Sequence, residues 1–392
     1  MNKKERISVN RIWFVIALTV YFALLVYLYY NQLLYPVTGR FESDTAIHVQ
    51  FAVKDGYYHS LAAFIYILLY KLPFSEALTA IVLALATIGS IKATEVLIRK
   101  VLKEYGESLP DALVYIISIF ANFVMAFYVK AANRQHYIGY ESPNMWHNST
   151  YTFMRLFAIL TVIAYLDVIK SYKDKIAFRE WLLLTLLLSV TTGFKASFLT
   201  AFAPALCIKL IADLIKKTRF KNVFILGTTV IPSMLVMLLQ SIVLGGGDGS
   251  NGYVIAPFKA LMLRGEHPKA TLVLSVLFPL VVFLTHIKDF YKDRLYLWTL
   301  IFTFVAFTEV FLLAETGERE LDGNFMWGYF ISLFFLFLVS MIKSVRDFYY
   351  KKALGSKLSY AIFSVETAIL LWHALTGFYY FGLLLTGVTY FA

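Results

Sequence analysis

The run IWFVIALTVYFALLVYLYY at residues 12–30 decides the class of fold. It contains no charged residue, and its length is close to the ~20 residues that a helix needs to cross the hydrocarbon core of a bilayer. Apolar runs of this kind recur to the end of the chain, and 59% of the 392 residues are hydrophobic while 16% are charged. The sequence therefore predicts an all-α polytopic membrane protein in which residues 1–392 form a single membrane domain.

The positive charges are concentrated in short loops between the apolar runs. A net charge of +11 could suggest a nucleic-acid partner, but this distribution follows the positive-inside rule instead. Residues 60–72 decide the predicted topology, because this segment is apolar but too short to span the membrane. If it lies on the surface, the loops on the N-terminal side contain 23 Lys and Arg and the opposite loops contain 10. We therefore expect a multi-pass protein of the plasma membrane with a cytoplasmic N-terminus and no nucleic-acid partner.

This topology predicts about eleven spans. Residues 34–74 then form the first outer loop, which carries short helices lying on the membrane. The single cysteine, Cys207, lies in an apolar run and excludes a disulfide framework. The predicted spans are residues 12–33, 76–98, 111–129, 152–169, 181–193, 197–215, 223–244, 270–286, 295–314, 327–342 and 358–375.

Two carboxylates, Glu42 and Asp44, follow the first span directly. In an extended chain residues two apart face the same side, so both could contact one substrate. From Asp44 onward the three- and four-residue spacing of apolar residues predicts a short surface helix with Asp44 as its N-cap. We expect Asp44 to act as a general base and Glu42 to support it by orienting the substrate group that gives up the proton. The alternative is that Asp44 only caps the helix and Glu42 is solvated.

The other predicted outer loops are rich in side chains that bind sugars and phosphates, because amides and carboxylates bind hydroxyls and cations neutralise phosphate. The alternative is that they are solvated loop ends with an aromatic belt, and that Lys195 extends to the membrane surface. The predicted substrate-binding residues are His48, Arg134, His136, Glu141, Asn144, His147, Lys195, Arg264, Glu315, Arg319, Asn324 and Trp327.

No cofactor is predicted from the sequence. The chain has no G-x-x-x-x-G-K-[ST] loop of the kind that holds nucleotide phosphates. No spacing of histidine, cysteine and carboxylate residues argues for a bound metal.

The segment Glu42-Ser43-Asp44 resembles the acidic motif of the GT-C superfamily of integral membrane glycosyltransferases, and residues 44–72 resemble the surface helices that follow it there. The resemblance covers the N-terminal hundred residues; beyond them it is limited to span count and sidedness. The stretches 143–148 and 323–328 look like motifs of bacterial surface-polysaccharide proteins. The resemblance implies transfer of a sugar from a polyprenyl-phosphate donor to a glycan or lipid-linked acceptor at the outer face of the cell membrane.

Two alternatives remain open at this stage. A polysaccharide polymerase or ligase uses the same lipid-linked sugars, but such enzymes rely on a large late outer loop, which is short here. A transporter or flippase belongs to a different class and carries polar groups near the bilayer midplane, often in related halves. Here charges near the middle of a span are few, Glu309 and Glu366 being the main ones, and the sequence shows no related halves.

Overall fold

The computed structural model describes residues 3–35, 39–244, 252–320, 322–351 and 357–389. Two short antiparallel strands, β1 (Gly252–Ile255) and β2 (Leu313–Thr316), pair with Gly252 opposite Thr316. The sequence had not predicted them. The α-helices of the described ranges are α1 (Lys3–Leu34), α2 (Asp44–Val53), α3 (Leu61–Leu69), α4 (Ser75–Glu104), α5 (Asp111–Ala121), α6 (Ser149–Ser171), α7 (Phe178–Phe194), α8 (Ser197–Ile215), α9 (Phe220–Gly227), α10 (Ile231–Leu244), α11 (Lys259–Met262), α12 (Pro268–Ser275), α13 (Leu277–Thr285), α14 (Arg294–Leu312), α15 (Met326–Lys351) and α16 (Lys357–Leu385).

Within the described ranges, eight helical segments are long and apolar enough to cross a membrane. They are α1, α4, α6, α8, α9 joined with α10, α14, α15 and α16, and the pair α12–α13, bent by 59°, makes a ninth if it counts as one span. The chain therefore has the helical architecture of a multi-pass membrane protein, while the eleven spans stay a prediction. Helix α3 contains nine residues, so it is only about 14 Å long and too short to cross ~30 Å of hydrocarbon.

Helix α15 is the centre of the bundle. In its most apolar stretch 94% of the residues are buried, whereas the same measure for α1 is 28%. Helix α15 contacts α5, α8, α13, α14 and α16, so neighbouring helices rather than lipid cover most of its surface. Helix α1 instead leaves large side chains such as Trp13 and Val20 exposed, as expected for a lipid-facing helix.

The predicted helix over 111–129 forms only as far as Ala121. The following chain is not helical until Ser149, yet much of it is buried. Unwound backbone inside a membrane protein must find hydrogen-bond partners within the protein. Here Asn144 Nδ2 donates to the carbonyl oxygens of Ala121 and Val124 at 2.9 and 2.8 Å, and the Met125 N–H donates to the carbonyl of His373 on α16 at 3.1 Å.

The two ends of the bundle differ in character. We call the end formed by α2, α3 and the start of α6 the Asp44 end, and the opposite end the Asp347 end. At the Asp347 end His286 lies between two carboxylates, with Nδ1 3.1 Å from Asp347 Oδ2 and Nε2 3.3 Å from Glu366 Oε1. Lys343 and Arg346 complete this ion network beside a cavity of about 380 Å³.

Candidate functional site

Asp44 is the first residue of α2, and the prediction that it caps the helix is wrong. Ser43 holds the N-cap position, with an extended backbone (φ −160°, ψ 153°) and no hydrogen bond from its side chain to the helix. The Asp44 side chain therefore does not satisfy its own helix terminus. This side chain accepts a hydrogen bond from Asn148, at the start of α6. Asp44 is therefore not a simple helix cap.

Helix α2 is bound to the start of α6. The backbone N–H and the hydroxyl of Thr45 both donate to the carbonyl oxygen of His147, each at 3.2 Å. One turn later, His48 Nδ1 lies 3.2 Å from the hydroxyl of Ser149. Two helix N-termini thus meet at the Asp44 end, and the positive ends of their dipoles favour negative charge there.

Asn148 connects these two helix starts. Its Oδ1 accepts hydrogen bonds from the Tyr151 N–H at 3.0 Å and from the Thr150 hydroxyl at 2.8 Å, so Asn148 is the N-cap of α6. Its Nδ2 donates to Asp44 Oδ2 at 2.8 Å. One amide therefore caps α6 and holds the carboxylate at the same time.

Lys195 lies at the break between α7 and α8, and it faces the same site. Its Nζ donates to the Thr150 hydroxyl at 3.2 Å and lies 4.0 Å from the centre of the Trp327 ring. Burial lowers the pKa of Lys195 to about 8, although the nearby Asp44 carboxylate favours its charged form. The site thus contains one carboxylate and one ammonium joined by hydrogen bonds through Asn148 and Thr150.

The electrostatic environment keeps Asp44 ionised. Burial acts to raise the pKa of Asp44, but attraction to His147 and His48 in their protonated form, the Asn148 amide and the Lys195 ammonium together hold it below its usual value. The same burial lowers the pKa of His48 to about 3 and of His147 to about 4, against the attraction of Asp44. At neutral pH the site therefore holds an ionised carboxylate between two neutral imidazoles.

The chain around β2 and the start of α15 adjoins the same site. Glu315 is buried and accepts hydrogen bonds from the Asn324 N–H at 2.9 Å and from its Nδ2 at 2.8 Å. Arg319 pairs with Asp322 at 3.1 Å, and both act electrostatically on Lys195. Four predicted residues of this region, Glu315, Arg319, Asn324 and Trp327, therefore belong to one structural unit next to Lys195.

Arg264 acts electrostatically on both His147 and Glu141. The Arg264 guanidinium packs against Gly323 so closely that a Cβ there would lie 2.5 Å from Nη2. Glu141 is buried, and burial raises its pKa to about 7 although the Arg264 charge opposes this. Its Oε2 has no hydrogen-bond partner among the described residues.

Three predicted substrate-binding residues have their side chains elsewhere. Arg134 is exposed, 3.6 Å from Glu266, and His136 stacks on Tyr128 with ring centres 4.1 Å apart. The Asn144 Nδ2 donates to the Ala121 carbonyl at the end of α5, and its Oδ1 accepts a hydrogen bond from Arg155 Nη1. None of these contacts joins the three side chains to Asp44 or Lys195, and their part in substrate binding stays a prediction. Glu42 is half-buried and has no hydrogen-bond or ion-pair partner in the described ranges.

The sequence analysis missed Asn148 and Thr150. An asparagine directly before the apolar run that begins at Ser149 is a recognisable helix-start signal, and it correctly marks the start of α6. Nothing in the local sequence, however, indicates that this cap contacts Asp44, 104 positions earlier.

Within the ranges that the structure describes, no group of three or more His, Cys, Asp and Glu side chains is arranged to hold a metal ion. No protein-family model and no curated protein matches the chain.

Proposed function

We propose that the protein is a membrane glycosyltransferase that moves a sugar from a polyprenyl-phosphate donor to a glycan or lipid-linked acceptor. One observation carries this proposal: Asp44 and Lys195 are joined by consecutive hydrogen bonds of 2.8, 2.8 and 3.2 Å through Asn148 and Thr150. Glycosyl transfer from a lipid phosphate needs a base for the acceptor and a cation for the leaving phosphate. The site supplies both groups in one hydrogen-bonded unit.

In the proposed reaction the acceptor hydroxyl attacks the anomeric carbon of the donor sugar. The new bond joins the acceptor oxygen to that carbon, while the bond from the carbon to the phosphate oxygen breaks. Asp44 takes the hydroxyl proton, and the electron pair of the broken bond leaves with the lipid phosphate. Lys195 stabilises the negative charge that develops on the phosphate, and Arg319 adds positive potential nearby.

The surroundings of the site favour a lipid substrate. The short helices α2 and α3 expose the apolar side chains Phe51, Phe64 and Leu68, and the turn before α4 exposes Phe74. Such apolar faces beside a polar site suit a substrate whose tail stays in the bilayer while its phosphate enters the protein. This arrangement supports a lipid-linked donor over a nucleotide sugar.

The finer points of the architecture are part of the same proposal. We propose a GT-C-like arrangement with about eleven spans in the cell membrane, a cytoplasmic N-terminus and the Asp44 end facing outward. The distribution of Lys and Arg supports the orientation. The short α2 and α3 after the first apolar helix support the resemblance to GT-C enzymes.

The test is an assay of purified protein in lipid nanodiscs with a panel of polyprenyl-phosphate sugars and acceptors, measuring release of polyprenyl phosphate. We expect Asp44→Asn to lower the rate by roughly 10²–10⁴-fold, which is the usual contribution of a general base. Glu42→Gln should lose less because it keeps its hydrogen-bonding shape. Asp55→Asn, an exposed acid just beyond α2, is the matched control and should be silent. Full activity of well-folded Asp44→Asn would exclude Asp44 as the base.

One observation favours a transporter as the second candidate. The chain is unwound after Ala121 and α12–α13 is bent at Val276, and interrupted helices are typical of transporters. In this protein, however, the unwound segment is packed, because Asn122, Met125 and His373 are fully buried. Sugar-lipid movement in proteoliposomes without release of lipid phosphate would favour the transporter.

A further inference from the structure

Asn148 makes more contacts at the site than its position as a helix cap requires. An N-cap needs only an acceptor for the first free N–H groups of its helix, and Asn148 Oδ1 fulfils that role towards Tyr151. Serine, threonine or aspartate would cap α6 as well. Asparagine is distinguished from all three by its amide donor, and here that donor points at Asp44 Oδ2 from 2.8 Å.

The orientation of this amide is determined by its neighbours. The Tyr151 backbone N–H can only donate, so the atom that faces it must be the oxygen Oδ1. Nδ2 must then be the atom that faces Asp44, and it donates to an ionised carboxylate. Because Asn148 is 3% exposed, the amide has little room to turn away.

The same hydrogen bond fixes the carboxylate. Asp44 Oδ2 is engaged by Nδ2, and the backbone next to it is held by the two bonds from Thr45 to the His147 carbonyl. With one oxygen held, the other oxygen of Asp44 has a defined direction. A base aligned before the substrate arrives avoids the entropy of orienting it during the reaction.

We propose that Asn148 is a positioning residue of the transfer reaction: its amide holds Asp44 Oδ2 and favours the ionised carboxylate, so that Oδ1 is the oxygen that takes the acceptor proton. This inference rests on the proposed function, because it gives Asp44 the role of the base. Asn148 itself does not contact the reacting atoms. It acts through Asp44.

The sharpest test is Asn148→Asp, which keeps the shape and the cap but replaces the donor by a second carboxylate beside Asp44. Two like charges at this distance resist joint ionisation, so the pKa of Asp44 should rise. We expect the acid limb of kcat/KM to move up by one pH unit or more, with the activity lost near pH 6 recovering at higher pH. Aspartate caps α6 as well as asparagine, but the apparent melting temperature should fall below that of the wild type at neutral pH and approach it at acid pH, because a raised folded-state pKa destabilises the ionised protein.

Asn148→Ser is the matched variant, because serine caps α6 but brings neither donor nor charge to Asp44. We expect its kcat to fall by roughly 10–100-fold, the usual loss for a hydrogen bond to a charged group, with a smaller shift of the acid limb. If Asn148 only caps α6, both variants should show wild-type kinetics. Unchanged kcat and an unchanged acid limb in both well-folded variants would overturn the proposal.

A second measurement separates this inference from the proposed function. Infrared difference spectra recorded against pH report the protonated carboxyl of Asp44, and the band is assigned by its loss in Asp44→Asn. We expect this band to appear at higher pH in Asn148→Asp than in the wild type, whether or not any donor sugar is turned over. If Asn148→Asp and the wild type titrate together, Asn148 does not control Asp44. If the bands differ but no lipid phosphate is released, the proposed function fails while the coupling of these residues stands.

Discussion

Replacing Lys195 by arginine is expected to remove the alkaline limb of the pH–activity profile. Burial lowers the pKa of Lys195 to about 8, so the ammonium that would bind the donor phosphate loses its proton as the pH rises through that value. A single group of pKa 8 is charged in ~90% of molecules at pH 7 and in ~10% at pH 9. We therefore expect kcat/KM for the donor to fall about tenfold between these two pH values in the wild-type protein.

Arginine stays charged throughout this range because its pKa exceeds ~12. Lys195→Arg should therefore show a flat kcat/KM up to pH 9.5, even if the larger guanidinium lowers its absolute value. Lys195→Met should also be flat, at a value roughly 10–100-fold below the wild-type value at pH 7, since it loses a charge-assisted contact to phosphate. Lys259→Arg is the control, because Lys259 lies on the same side of the molecule but pairs with Glu320.

The assay is the initial rate of polyprenyl phosphate release at a donor concentration well below KM, from pH 6 to pH 9.5. Under these conditions kcat/KM reports ionisations of the free enzyme. At saturating donor the limb should move to higher pH, because a bound phosphate favours the ammonium. An alkaline limb near pH 8 that persists in Lys195→Arg would assign it to another group and refute this account of Lys195.

Three further predictions concern stability and topology. Gly377→Ala should lower the apparent melting temperature by about 4 °C, from a cost of ~3 kcal/mol, because its Cβ would lie 1.6 Å from the Phe123 carbonyl oxygen. Gly382→Ala, which meets nothing within 4 Å, should be silent, and equal melting of the two would contradict the packing of α16. Burial acts to lower the pKa of His286, but its bonds to Asp347 and Glu366 outweigh this and raise it. The stabilisation from these bonds is therefore present below pH 6.5 and is lost as the pH rises through the folded-state pKa. The melting temperature of the wild type should fall with rising pH and that of His286→Gln should change less; identical slopes would exclude His286 as the cause. Cysteines at Lys103 and Lys173 should resist an impermeant thiol reagent in intact cells, and labelling without permeabilisation would reverse the proposed orientation.

Several features of the fold could be predicted because they depend on local sequence. The membrane class follows from the length and hydrophobicity of runs such as residues 12–30, since the free energy of transfer into lipid accumulates residue by residue. The short α2 after Glu42 follows from its apolar spacing. The predicted spans 181–193 and 197–215 leave a gap between them, and α7 ends in that gap, at Phe194.

Other expectations failed because non-local contacts overrode the local signal. Apolar residues 122–129 were predicted to be helical, but hydrogen bonds to Asn144, Leu274 and His373 hold that backbone in an unwound form. Strands β1 and β2 contain four residues each and are far apart in the chain, so no local pattern announces their pairing.

By itself the sequence determined that this chain is a helical membrane protein and that Glu42, Asp44 and Lys195 lie near helix ends, because those properties depend on hydropathy and spacing along the chain. Only the tertiary structure decided that Asp44 meets Asn148, and that Thr150 links Asn148 to Lys195. The physical reason is that α2 packs against the start of α6, and α6 against the break after α7. Contacts between residues 45 or 104 positions apart follow from that packing, which no local pattern encodes.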